Sequence, residues 1–181
     1  MPMFLAAPLT AGTIDLPPSQ LAVIYPAPND PVIEHGARLL MEFDLPDSLN
    51  SKRIIYAEVW APFPLENLRD TTLSFDLFSL TASWDENEVN WIFPWQNPGG
   101  DIDSLSTFRR YFAVASADSL NLDLTELTRE WVGGGRPNNG FLVATNFLNR
   151  RGLRFNLNPI LPQIRSRLSL RIIFDDGPPS Y

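Results

Sequence analysis

Three side chains at alternate positions, Tyr56, Glu58 and Trp60, sit in the apolar segment IIYAEVWA, residues 54–61. In a strand all three project from one face, because successive side chains point to opposite sides. Aromatic rings offer apolar faces on which sugar rings stack, and a carboxylate between them accepts hydrogen bonds from hydroxyls. An outward aromatic stripe serves equally as an interface with another subunit, or lies under the N-terminal arm. The chemistry is reversible binding in the first two cases. Trp95, in the loop IFPWQNPGGDID, is the other candidate for an exposed aromatic anchor.

Asp85, Glu86, Asp101 and Asp103, with Glu88 nearby, carry oxygens of the kind calcium prefers. Their spacing does not match an EF-hand loop, so solvated turn carboxylates are the simpler reading. No other cofactor is expected. His35 is the single histidine and there is no cysteine, so a catalytic triad or a thiolate metal site has little to draw on. Glycosidase chemistry needs two carboxylates about 5–10 Å apart. Nothing among the 21 acidic residues picks out such a pair. The stretch GGGRPNNG follows a predicted helix instead of opening one, so it reads as a helix stop and a turn, not a phosphate loop. The sequence predicts a protein that is not an enzyme.

Composition narrows the partners. A formal net charge of −7 supplies no basic field for nucleic acid. Lys52 is the only lysine, and arginine carries the remaining positive charge. No apolar run approaches the roughly 20 residues that span a bilayer, so no membrane insertion is expected. The opening MPMFLAAPLTAG has a short apolar stretch without a positive region before it, and is not read as a signal peptide.

The elements that must position these residues are short strands. A chain of 181 residues suits one domain of two packed layers, and its 17 prolines disfavour a helical bundle. Residues 1–31 read as a proline-rich arm followed by a first strand at 20–25. Residues 32–174 form a single β-sandwich domain, and residues 175–181 are a tail. Termini of this composition hold order only when something fixes them, which points to an assembly. Alternation predicts strands at 37–44, 54–61, 72–80, 88–92, 108–115, 140–145, 153–157 and 168–174. In residues 54–61 the expected faces are Ile55/Ala57/Val59/Ala61 and Ile54/Tyr56/Glu58/Trp60. One helix is predicted over 124–132, with Asp123 as its cap, Glu126 completing an acidic capping box, and Gly133 to Gly135 ending it. Leu124, Leu127, Thr128 and Trp131 share its apolar face. Trp84, Trp91 and Trp131 read as core or cap residues. The fold class is an all-β, jelly-roll-like antiparallel sandwich with one short helix.

The order of these segments resembles the DNRLRE domain family, β-sandwich modules of which some bind carbohydrate. ARLLMEFDLPDSL is similar to a family strand of the Leu-Arg-Phe-Asp-Leu type, and IIYAEVWA to the strand after it. Trp84, Glu86, Val89, Asn90 and Trp91, with Pro94 or Pro98, occupy the places of a Trp-x-Glu and Val-Thr-Trp-Asn segment. Asp123, Thr125, Trp131, Gly133, Asn138, Gly140 and Phe141 match the family's Asp-Val-Thr helix and the Asn-Tyr-Gly-Phe after it, with Asn139 in place of the aromatic. RLSLRIIF resembles the closing strand. The likeness covers roughly residues 37–174, and no ligand residue is carried over. It implies a secreted or surface-displayed module that binds or assembles.

Two functions follow as expectations. The first is a non-catalytic structural subunit of a virion or extracellular structure, such as a decoration, fibre or filament protein, whose partners are copies of itself or other structural subunits. The absent signal, the proline-rich arm and release of virions by lysis favour it. The second is a carbohydrate-binding module that adheres to polysaccharide or cell surfaces through Tyr56, Glu58, Trp60 and Trp95.

Overall fold

A computed structural model describes residues 11–26, 38–61, 72–113, 120–145, 162 and 165–177. The strands are β1 (Gly12–Leu16), β2 (Gln20–Ile24), β3 (Arg38–Glu42), β4 (Arg53–Ala61), β5 (Thr72–Leu80), β6 (Ile102–Ala113), β7 (Leu120–Asp123), β8 (Phe141–Thr145) and β9 (Ser169–Asp175). One α-helix, α1 (Thr125–Val132), lies between β7 and β8. The strands form two antiparallel sheets, ordered β1-β9-β4-β7 and β2-β3-β8-β5-β6. This is an all-β sandwich. Among the described residues no helix is long and apolar enough to cross a membrane.

The inner faces meet in one core. Leu21, Leu39, Met41, Leu77, Phe141 and Val143 of the five-stranded sheet pack with Ala57, Val59, Leu122, Leu170 and Ile172 of the other. A second cluster lies on the far side of the five-stranded sheet, where Ala22, Ile24, Leu40, Leu80 and Leu142 are covered by Trp84, Trp91 and Trp95. That sheet is therefore buried on both faces, which is why consecutive residues such as Leu39, Leu40 and Met41 are all apolar. The four-stranded sheet instead alternates, with Leu170 and Ile172 buried around an exposed Arg171. Its outer face meets solvent.

Helix α1 closes the first core through Leu127 and Trp131. It begins one residue later than the predicted 124–132, with Leu124 at the N-cap position and its side chain buried. Asp123 caps from one residue further back, accepting from the Thr125 amide at 3.0 Å and its hydroxyl at 2.7 Å. Glu126 does not complete a capping box. It pairs with Arg129 across one turn, at 2.5 Å. At the other end Gly134 takes φ +70. The Gly134 and Gly135 amides then donate to the carbonyls of Trp131 and Glu130, closing a Schellman motif.

Four further expectations change. Gly12–Leu16, read as part of the arm, is a strand paired with β9. Leu120–Asp123 is a short strand against β4. Residues 88–92 are not a strand, because the Glu88 and Val89 amides turn back onto the Asp85 carbonyl. In β4 the register shifts between Ile54 and Tyr56, so Ile54 points inward and Ile55 outward, the reverse of their predicted faces. The bulge leaves Ala57 and Val59 inward and Tyr56, Glu58 and Trp60 outward, as the alternation predicts. The expected strand at 153–157, His35 and the outer ends of both termini lie outside the described residues.

Candidate binding face

Strand β4 is central in the four-stranded sheet, flanked by β9 and β7, so its outward side chains stand in the middle of the open face. Tyr56 is 37% exposed and Trp60 43% exposed, with the half-buried Glu58 between them. Four residues of strand separate the two rings by about 13 Å. The Tyr56 hydroxyl donates to Glu58 Oε2 at 3.1 Å, which turns the phenol toward the carboxylate.

Strand pairing extends this line into a platform. Arg171 lies opposite Glu58 and also opposite Asp15, while Asp123 faces Glu58 from the other side. The row Asp15, Arg171, Glu58 and Asp123 thus crosses all four strands, with one guanidinium among three carboxylates. Arg171 Nε donates to Asp15 Oδ1 at 2.9 Å, and that hydrogen bond, with charge from Asp15 and Glu58, holds the guanidinium pKa above its ordinary value. On either side of this row, Tyr56 sits beside Ile173, and Trp60 lies between Ser169 and Asn121. The arrangement is exposed and mildly acidic. It offers two exposed aromatic rings and a band of hydrogen-bonding groups.

Trp95 does not belong to this face and is not an exposed anchor. It is 7% exposed, within the second cluster, and its indole donates to the Asn90 carbonyl at 2.8 Å. The residues displayed by that loop are its neighbours Ile92 and Phe93. Asn90 fixes them there, since its Oδ1 accepts from both of their amides at 2.9 Å.

The four carboxylates considered for calcium do not converge. Asp85 accepts from the amide and side chain of Asn87. Glu86 accepts from the Leu21 amide at 3.0 Å and pairs with Arg165, stitching the tryptophan loop to β2. Desolvation pushes the Asp101 pKa up, but hydrogen bonds from the Gln96 and Asn97 amides at 2.8 and 2.9 Å, with the Asn97 side chain, together outweigh it and hold the pKa below the usual range. Asp103 pairs with Arg136 at 2.7 Å. Among the described residues no group of three His, Cys, Asp or Glu side chains is placed to hold a metal ion.

Sequence reasoning missed Asp15, Arg171, Asn121 and Asp123 as parts of the face. Arg171 did carry a signal, as the one charged residue within LSLRIIF. Asp15 carried a fainter one, alternating with Ile14 and Leu16. No protein-family model and no curated protein matches this chain.

Proposed function

We propose that this protein is a non-catalytic recognition module, displayed on a virion or extracellular surface, that docks a neutral polysaccharide on the outer face of its four-stranded sheet. The observation that carries this reading is the exposure of Tyr56 and Trp60 on either side of the polar row that runs through Glu58. Ile55, Tyr56 and Trp60 together expose apolar surface on one sheet face rimmed by polar groups, the setting in which such surface supports binding. Three carboxylates against one arginine disfavour an acidic glycan. The resemblance to DNRLRE modules agrees with binding rather than catalysis, and it rests on the order of sequence segments alone.

Affinity electrophoresis through neutral and acidic polysaccharides tests the proposal. The protein is expected to be retarded by at least one neutral polysaccharide, and Trp60→Ala is expected to weaken retention at least tenfold while remaining folded. Retention by none of the gels, or retention unchanged by Trp60→Ala, would overturn it.

A second reading, a structural subunit of a decoration, fibre or filament, is favoured by a different observation. The N-terminal strand β1 is an edge strand that hooks onto the C-terminal strand β9. Light scattering at several concentrations separates a stable oligomer from a monomer near 20.4 kDa.

A further inference from the structure

We propose that β1 is exchanged between copies of this chain, so that each binding face is completed by Asp15 of the partner subunit. The inference deepens the assembly reading and rests on it. Strand β1 belongs to one sheet and β2 to the other, and only Pro17, Pro18 and Ser19 join them. Four residue steps reach at most about 14 Å, and packed sheets stand about 10 Å apart. The connection is therefore close to taut. Leu16 and Pro17 each precede a proline, which disfavours the helical region for them and biases this link toward extended backbone. A hinge that must stay extended cannot coil to ease the closed arrangement, and a change in its few dihedral angles carries β1 from its own sheet to a neighbour's.

The contacts of β1 are all of a kind that a second copy can reproduce. Five residues pair with β9, Gly12 with Phe174 through Leu16 with Leu170. Asp15 pairs with Arg171, and Ile14 and Leu16 pack at the margin of the core. Gly12 lies on the Phe174 ring so closely that a Cβ would stand 2.6 Å from its carbons, which favours a register that keeps the glycine there. Closed and exchanged forms share these interactions, and the balance falls on the hinge. There the closed form leaves the Ser19 hydroxyl buried with no hydrogen-bond partner among the described residues. Opening the hinge relieves it.

Exchange has a functional consequence. Asp15 lies two strands from Glu58, with Arg171 of β9 between them, so an exchanged strand brings a carboxylate of the partner subunit into each platform and couples the face to the assembled state.

The chain has no cysteine, so an introduced pair reports alone. Thr13 and Ile173 are paired positions of β1 and β9, and a change at both leaves the Asp15 to Arg171 ion pair in place. Opposed residues in a ladder lie within the Cα separation a disulfide requires. Purified full-length Thr13→Cys/Ile173→Cys is oxidised at high protein concentration, then run on a denaturing gel without reductant. Exchange predicts linked dimers or larger species as the main product, collapsing to one chain on reduction. Linked monomers alone would overturn the exchange. Light scattering then divides two failures, because internally linked chains in a stable oligomer spare the assembly reading, whereas internally linked monomers sink both. Should that variant fail to fold, Asp15→Cys/Arg171→Cys reads the same junction with the same two outcomes.

Discussion

The Tyr56 hydroxyl and the Glu58 carboxylate meet at 3.1 Å on the solvent side of β4, two residues apart on one strand. An exposed hydrogen bond of this kind adds little to folding, since water replaces either partner. Its role is to aim the ring. Tyr56→Phe is expected to change stability by less than about 0.5 kcal/mol. It should reduce polysaccharide retention less than Tyr56→Ala does, because the stacking surface survives. Paired melting curves and gel retardation of the two variants measure both effects.

Trp95 provides the opposite case. It is buried against Trp84 and Trp91 and ties the Asn90 turn through its indole. Trp95→Ala is expected to cost about 3–5 kcal/mol in denaturant unfolding, as truncation of a buried tryptophan does elsewhere. Trp60→Ala should cost clearly less, because 43% of that residue's surface is already in solvent. Equal losses for the two would contradict the burial described.

Gly140 stands where a side chain has no room. Its φ is +76, and a Cβ would come within 2.3 Å of the Met41 carbonyl. Asn138 braces the same turn, donating to the Phe43 carbonyl at 2.8 Å and accepting from the Gly140 amide at 3.2 Å. Gly140→Ala combines left-handed strain with a backbone clash, and is expected to destabilise by roughly 2 kcal/mol or more. Gly134→Ala adds only strain, since nothing lies within 4 Å of its Cβ. It should be the milder change in the same unfolding assay.

Asp175 supplies a pH dependence. Hydrogen bonds from Arg53 lead the causes that hold its pKa below the ordinary carboxylate value, and the Gly177 amide adds to them. A group with a depressed folded pKa contributes stability that is present above its unfolded value of about 3.9 and lost as pH falls through the folded one. Asp175→Asn is therefore expected to melt below the parent at pH 7. The gap should shrink below pH about 4 and close in strong acid. A gap independent of pH would show that the ion pair is not its source.

How far the sequence could be read follows from what sets each element. Alternation located β4 and β9 because one side of each faces the core and the other meets solvent. Aliphatic residues at helical spacing and three glycines located α1 to within one residue. Strand β1 was hidden by its setting, since Ile14 and Leu16 do alternate with Thr13 and Asp15, but the proline-rich residues around them argue for an arm. The bulge at Ile55 could not be read, because two adjacent isoleucines give no sign of which one turns inward. Trp95 sits in a loop rich in turn residues, and only its packing with Trp84 and Trp91 reveals a second core. Asn90, whose side chain replaces an expected strand with a turn, acts through hydrogen bonds that leave no periodic trace.

The pairing of β1 with β9 has a mechanical consequence. The two strands run antiparallel with Gly12 beside Phe174, so Ala11 and Gly177 leave the sheet at the same end. Tension carried through those two points pulls across the ladder, along the direction of its hydrogen bonds, and loads one pair at a time. The sheet unzips from that end instead of resisting as a sheared whole. The strand that opens first under load is β1, while the core behind β4 and β8 stays closed.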